Sequence, residues 1–586
     1  MQPVDYTTLT AACSEISADW IPARLEQVYQ RDRTAITLGL RTLKQRGWLE
    51  ICWHPQAAHV CIGDPPPRTP DTFTFSQQIL HQLNGLALVS CACVTPWERV
   101  VDLQFARRPG ESAVWHLYVE VMGKYSNVVL TNSANEIITA AHQVSSQQSS
   151  IRPIQTGQPY ELPPALTGTI PSLSESQERW LERVSLVPGA IKRCLLKSYR
   201  GLSPSLVQSM VQVAGLNPDQ STDTLNATDW QRLFERWQEW LQFLEKSQFQ
   251  PGWTPEGYTV LGWNITNRAS NVQDLLNYYY KEQLNQQEFS QLRHQLTQKL
   301  NNILTKLRQR VSTFEERLKQ SDRADDYRHQ ADLLMTYLQE WQPGMKSITL
   351  TDFDSGKPVA IALDPEKNAI QNAQNLYKRA GKLKRARGAV EPLIAEVQPE
   401  IEYLEQVEEA ITALSFTNAQ IDKYYTREDL EALQEIREEL IGQGYISEPE
   451  YLRRSSNASS RVNFLRYLTP SGFELLIGRN NRQNDQLTFR LAGDYDLWFH
   501  AQEIPGSHVL MRVEPGAVPD EADLQFAADL AAFYSRSRQS DLVPVVYTEP
   551  KHVYKPKGAK PGIALYKQEQ IIWGNPQRGK QQINNS

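Results

Sequence analysis

Cysteine is scarce in this chain, with six residues in 586. Cys91 and Cys93 are separated by one residue and no Cys-x-x-Cys occurs. That excludes a disulfide framework and a structural zinc, and points to a reducing compartment. Long apolar runs are missing too: the longest, Leu86–Val94, includes Ser90 and falls far short of the roughly 20 residues that span a bilayer. The opening Met1-Gln2-Pro3-Val4-Asp5 lacks the basic and apolar regions of a secretory signal. A cytoplasmic protein with no membrane partner is expected. Positive charge is not in excess, since 61 Lys and Arg stand against 67 Asp and Glu for a formal net charge of −6. A globally basic nucleic-acid coat is thereby excluded, and basic surface must be local. The 10 histidines contain no His-x-x-x-His, and no Walker A loop, GxSxG elbow or dinucleotide glycine fingerprint occurs. No catalytic constellation, metal site or cofactor is expected, so the chain is read as a non-enzyme.

What is present suits a folded protein, with 40% hydrophobic and 22% charged residues. The length implies several domains. The expected architecture is multidomain α/β plus α. Residues 1–168 read as a mixed α/β domain, with a helix opening at Asp5–Leu9. Strand compositions follow at Arg33–Leu38, Trp48–Trp53, Val114–Val119 and Asn127–Thr131. Residues 169–270 read as helical, and Ser203 followed by Pro204 is a cap with proline at the first helical position. The glycine-containing turn at Gly215 fits either a helix-hairpin-helix module or an ordinary helix turn.

Residues 271–450 carry two seams. The first runs through Leu292, Leu296, Leu300, Ile303, Leu307, Val311, Phe314 and Leu318, and the second through Leu393, Val397, Ile401, Leu404, Val407, Ile411 and Leu414. Spacings of three and four predict a long antiparallel coiled coil around a small strand insert at Ser347–Thr351 and Val359–Leu363. Pro392 and Pro399 predict a kink or interruption in the second helix. A polar linker at 451–462 leads to an α/β domain at 463–580. Its expected elements are strands at Glu474–Gly478 and Val543–Tyr547 and a helix at Glu521–Phe533.

Two basic runs contain no acid: Lys378 to Arg387, with six cations, and Lys551 to Lys560, with Lys551, Lys555, Lys557, Lys560, His552 and Tyr554. Such patches neutralise phosphates, and tyrosine stacks on bases. The segment Arg479-Asn480-Asn481-Arg482-Gln483-Asn484 adds forked and amide donors, and Trp498, His500 and His508 follow. His500 and His508 lie eight residues apart near Asp496, but nothing completes a metal cluster. A structural or RNA-contacting role is favoured.

These strings resemble the RNA-binding C-terminal domain of the NFACT family. The resemblance extends along the chain through Trp97-Glu98-Arg99-Val100-Val101, through Glu120 to Leu130, and through Gly157-Gln158-Pro159-Tyr160. It implies an N-terminal domain similar to that of formamidopyrimidine-DNA glycosylases, a helix-hairpin-helix region, a coiled-coil middle domain and an RNA-binding end. It also implies ribosome-associated quality control. The partners would be a large ribosomal subunit with its 23S rRNA, the obstructing peptidyl-tRNA, and an alanyl-tRNA recruited for C-terminal alanine tailing. The chain would act as a monomer on the subunit, and the ribosome's own centre would make the peptide bonds. The family's Asp-Arg pair maps onto Glu98 and Arg99, where the acid is one methylene longer and keeps its charge.

On this resemblance tRNA engagement is expected at Glu98, Arg99, Gly123, Lys124 and Asn127. Ribosomal RNA is expected at Arg479, Asn480, Asn481, Asn484, Trp498, His500 and His508 and at the four lysines of the second basic run. Two rivals have less behind them. A DNA glycosylase would carry proline directly after Met1, whereas Gln2 stands there. A fibronectin-binding adhesin, a name attached to some members, would need export signals.

Overall fold

The computed structural model describes residues 1–586 except 68–69, 146, 150–151, 165–167, 354, 417–424, 448–462 and 586. The expected linker at 451–462 lies outside the described residues. The chain forms two compact units, Met1–Leu284 and Asn285–Ser586.

The first unit is built on a nine-stranded sheet in which every neighbouring pair is antiparallel. Its centre pairs Ala23–Gln30 with Ala87–Cys93, and from there the strands continue outward in chain order on both sides. The helix Tyr6–Trp20 starts where the Asp5 carboxylate accepts from Thr8 N at 2.8 Å. That helix buries Leu9, Ala12, Cys13 and Ile16. A tryptophan-rich helical segment completes the core, with Trp180, Trp237 and Trp240 fully buried. Ser203 caps the helix Pro204–Val213 by accepting from Leu206 N. Gly215 follows at φ +75°, the left-handed turn that glycine supplies after a helix.

In the second unit, the helices Val272–Ser321 (from residue 285), Arg323–Thr336 and Ala369–Phe416 run antiparallel. Gln286 meets Tyr425, Arg308 meets Glu405, Asp322 meets Arg387 and Asp332 meets Tyr377. The buried seam is Leu292, Leu296, Leu300, Leu304 and Val311 against Val397, Ile401, Leu404, Val407, Ile411 and Leu414. Leu304 takes the place the sequence pattern gave to Ile303 and Leu307, which are only partly buried. Of the kink or interruption expected in the second helix, the interruption does not occur: the helix runs unbroken through Pro392 and Pro399. Both prolines and the residues four before them, Gly388 and Ala395, are exposed, so the carbonyls that lose their partners are open to hydration. The strands Ser347–Thr351 and Pro358–Ala362 pair as a hairpin at the far end.

The C-terminal domain is a six-stranded antiparallel sheet ordered Leu465–Leu468, Glu474–Ile477, Val509–Met511, Leu497–Ala501, Val543–Thr548 and Gln570–Gly574. The helix Glu521–Phe533, capped by Asp520, covers one face over Leu475, Ile477, Phe499 and Val545.

Candidate nucleic-acid interfaces

In the first unit, the loop between strands Ala87–Cys93 and Val100–Ala106 carries Trp97, Glu98 and Arg99. Trp97 sits at φ +70°, a strained conformation for a bulky residue that only its surroundings can hold. Those surroundings are Tyr6 at 5.0 Å and Trp240 at 5.5 Å between ring centres. Gly201 leaves room on another side, since a Cβ there would lie 2.6 Å from the indole. With Trp97 pinned, Glu98 turns its carboxylate to the Arg200 guanidinium at 3.7 Å, and Arg99 donates to Val4 O at 3.3 Å. Glu98 Oε1 and Arg200 Nε are both buried without a hydrogen-bond partner. They line a cleft with apolar walls from Trp97, Leu162, Pro163 and Ile170. An acceptor and a donor that no hydrogen bond matches, set between apolar walls, are functions that a nucleotide base edge satisfies.

The strand turn nearby is tied to this loop by Val121 N donating to Arg99 O at 2.9 Å. Gly123 turns at φ +60°, and Lys124 lies exposed 4.9 Å from the ring centre of Tyr125, itself 71% exposed. Asn127 differs from its neighbours. It is buried, donating to His142 O at 2.7 Å and accepting from His142 N at 2.9 Å. The Tyr160 motif is internal too: its hydroxyl donates to buried Glu120, which Arg152 also grips.

In the C-terminal domain, the Arg479–Asn484 segment meets the acidic helix Arg427–Gly442. Arg479 pairs with Asp429 at 3.1 Å, and Arg482 with Glu438 at 3.1 Å. Asn480 and Gln483 both donate to Glu435, at 2.8 and 2.9 Å, and Asn481 donates to Glu439 at 3.2 Å. Burial raises the Glu439 pKa from its ordinary value. Asn484 lies beneath, accepting from His508 N at 3.1 Å. There Trp498 donates to Thr488 at 3.0 Å, and Thr488 contacts the His508 ring at 2.7 Å. Burial pushes His500 down to about 4 and His508 well below its ordinary range. Both are neutral at physiological pH. Among the described residues, no group of three or more His, Cys, Asp or Glu is arranged to hold a metal ion.

Of the C-terminal lysines, Lys551 pairs with Glu549 and Lys555 with Asp485. Lys560 lies 4.6 Å from the ring centres of both Tyr403 and Tyr445, and burial lowers its pKa. Lys557 is exposed. On the long helix, Lys378, Arg379, Lys382, Lys384 and Arg385 are all exposed, while Arg387 pairs with Asp322 and Glu391. Sequence reading missed Arg200 and the acidic helix. The cap Thr426 with Asp429 three residues on was the available sign of that helix, whereas nothing local marks Arg200 as the partner of Glu98. Among the described residues no helix is long and apolar enough to cross a membrane.

Residues 5–459 match the family profile described as NFACT N-terminal and middle domains, and residues 463–567 match the NFACT protein RNA binding domain. A Streptococcus suis (strain 05ZYH33) protein named Rqc2 homolog RqcH is 30% identical over 580 residues, covering 97% of this chain and 97% of its own. The Rqc2 homolog RqcH of Bacillus subtilis (strain 168) is 30% identical over 578 residues, with 96% of each chain covered. The solved C-terminal part of the fibronectin/fibrinogen-binding protein from Streptococcus suis is 30% identical, covers 51% of this chain and 98% of its own, and superposes at a TM-score of 0.37. With most of the chain inside one family profile and relatives at 30% identity along nearly its full length, this protein belongs to the NFACT family.

Proposed function

We propose that the chain is a ribosome-associated quality control factor. In this reading it binds large ribosomal subunits obstructed by peptidyl-tRNA and recruits alanyl-tRNA, so that the stalled chain gains a C-terminal alanine tail and is marked for degradation. It works in the cytoplasm as a monomer on the subunit and selects and positions tRNA, leaving peptide-bond formation to the ribosome. The long helix pair serves as a coiled-coil arm, and the N-terminal domain is kin to the glycosylase N-domain. Full-length similarity to proteins named Rqc2 homolog RqcH supports the process. The observation that carries the tRNA role is the cleft where Glu98 Oε1 and Arg200 Nε stand buried without hydrogen-bond partners beside Trp97.

The test is tRNA and rRNA recovered from one pull-down of tagged chain. Glu98→Ala and Arg99→Ala should lose tRNA and tail synthesis while retaining 23S rRNA. Retention of tRNA by both variants removes the pair from the site. Loss of both RNAs marks a folding defect, which a thermal melt of the same samples identifies.

A further inference from the structure

The C-terminal domain meets the base of the helix pair through charge. Besides the Arg479–Gln483 contacts, Arg536 bridges Glu405 at 3.2 Å and Glu408 at 2.7 Å, and Arg538 pairs with Glu409. Every one of these donors lies on the sheet domain. Every carboxylate lies on the helices Ala369–Phe416 and Arg427–Gly442. The acidic helix is held from its other side by Leu430, Leu433, Ile436 and Leu440 in the core of the helix pair. Its carboxylate face is therefore presented to the sheet domain on a fixed support.

Two features set this contact apart from ordinary interdomain packing. The donors are guanidinium forks and side-chain amides, the groups that hold phosphate oxygens as readily as carboxylate oxygens. Glu438 and Glu439 lie three and four residues after Glu435, spacings that set each about 5–6 Å from it and gather negative charge on one face. The fit is also incomplete. Arg479 Nε and Glu439 Oε2 are buried without hydrogen-bond partners. An interface shaped only for adhesion satisfies its buried polar groups, because each orphan costs stability.

We infer that this donor surface, centred on Arg479, Asn480, Arg482, Gln483 and Arg536, is an RNA phosphate-binding site, and that the acidic helix occupies it as an internal stand-in which RNA displaces. The inference rests on the reading that this domain binds RNA. RNA affinity then contains the cost of releasing the helix, and lowering that cost exposes more cations to phosphate.

The experiment uses the full chain, a fluorescein-labelled RNA hairpin of mixed sequence and a salt series. Glu435→Gln, Glu438→Gln and Glu439→Gln combined should bind about tenfold tighter, with a log–log salt slope steeper by about two. Adding Arg482→Ala and Arg536→Ala should return affinity to the parent value or below. Glu438→Gln alone, at an exposed site, should give about a threefold gain and guards against a misfolded triple variant. If the parent binds RNA and no Gln variant binds tighter or more salt-dependently, the stand-in is overturned while RNA binding stands. If neither parent nor variants bind the hairpin, both the stand-in and the RNA-binding reading fall.

Discussion

On the long helix Ala369–Phe416, Lys378, Arg379, Lys382, Lys384 and Arg385 all face solvent. In the C-terminal domain, Lys551, Lys555 and Lys560 each already have a neighbour: Glu549, Asp485, and the rings of Tyr403 and Tyr445. The first run has six cations and the second four lysines, but what separates them most is what the fold brings to each. A helix in a slender pair has a single buried stripe and leaves most of its circumference in water. A loop on a compact sheet domain packs against residues far away in the chain, and Asp485 lies 70 positions from Lys555. A cluster without acids in sequence is therefore not a cluster without acids in space.

The largest expected effect comes from removing the open run. Replacing Lys378, Arg379, Lys382, Lys384 and Arg385 with Gln should weaken RNA binding by about a hundredfold and reduce the salt slope by about 0.7–0.9 per lost phosphate contact. The melting temperature should barely move, because exposed charges contribute little to stability. An unchanged slope in an RNA titration would erase the contrast between the runs.

Acid separates the two regions next. Burial depresses His500 to about 4 and His508 well below 6.5. A group with a lowered folded-state pKa keeps its contribution above the unfolded value and loses it as pH falls toward the folded value. The C-terminal domain should thus lose stability progressively from pH 6.5 to 4. Chemical denaturation across that window, with His500→Gln flattening the profile, checks it.

The smallest effect belongs to the partnered run. Replacing Lys551, Lys555, Lys557 and Lys560 with Gln should lower RNA affinity less than about tenfold and the slope by about one. Stability should drop by about 1 kcal/mol, largely from the ammonium held by the Tyr403 and Tyr445 rings. A salt-dependence change as large as that of the arm variant would make the two runs equivalent.

Where periodicity is local, the chain was readable. The helix Glu521–Phe533 and the strand Ser347–Thr351 stand where their residues predicted. The seam was legible in outline, but a chain of threes and fours admits neighbouring choices, and only packing selects Leu304 over Ile303 and Leu307. The prolines do not interrupt the helix because their rule concerns lost hydrogen bonds, and the exposed positions of Gly388 and Ala395 let water supply them. Chemistry-bearing residues were found by type, yet their circumstances were not. Nothing near Asn480 announces Glu435, and nothing near Glu98 announces Arg200, because each pair is assembled by tertiary folding.

The antiparallel register of the helix pair also makes its length adjustable. Because contacts climb one strand as they descend the other, from Gln286 with Tyr425 to Asp332 with Tyr377, both chain ends return to the same base whatever the distance to the hairpin. Excising one heptad from each strand at matched levels shortens the reach by about 10 Å and preserves the seam. The same cut in a single strand keeps the seam but shifts every later pairing by one heptad. The pair is in effect a telescoping gauge, and a series of matched excisions would grade its length in steps of about 10 Å.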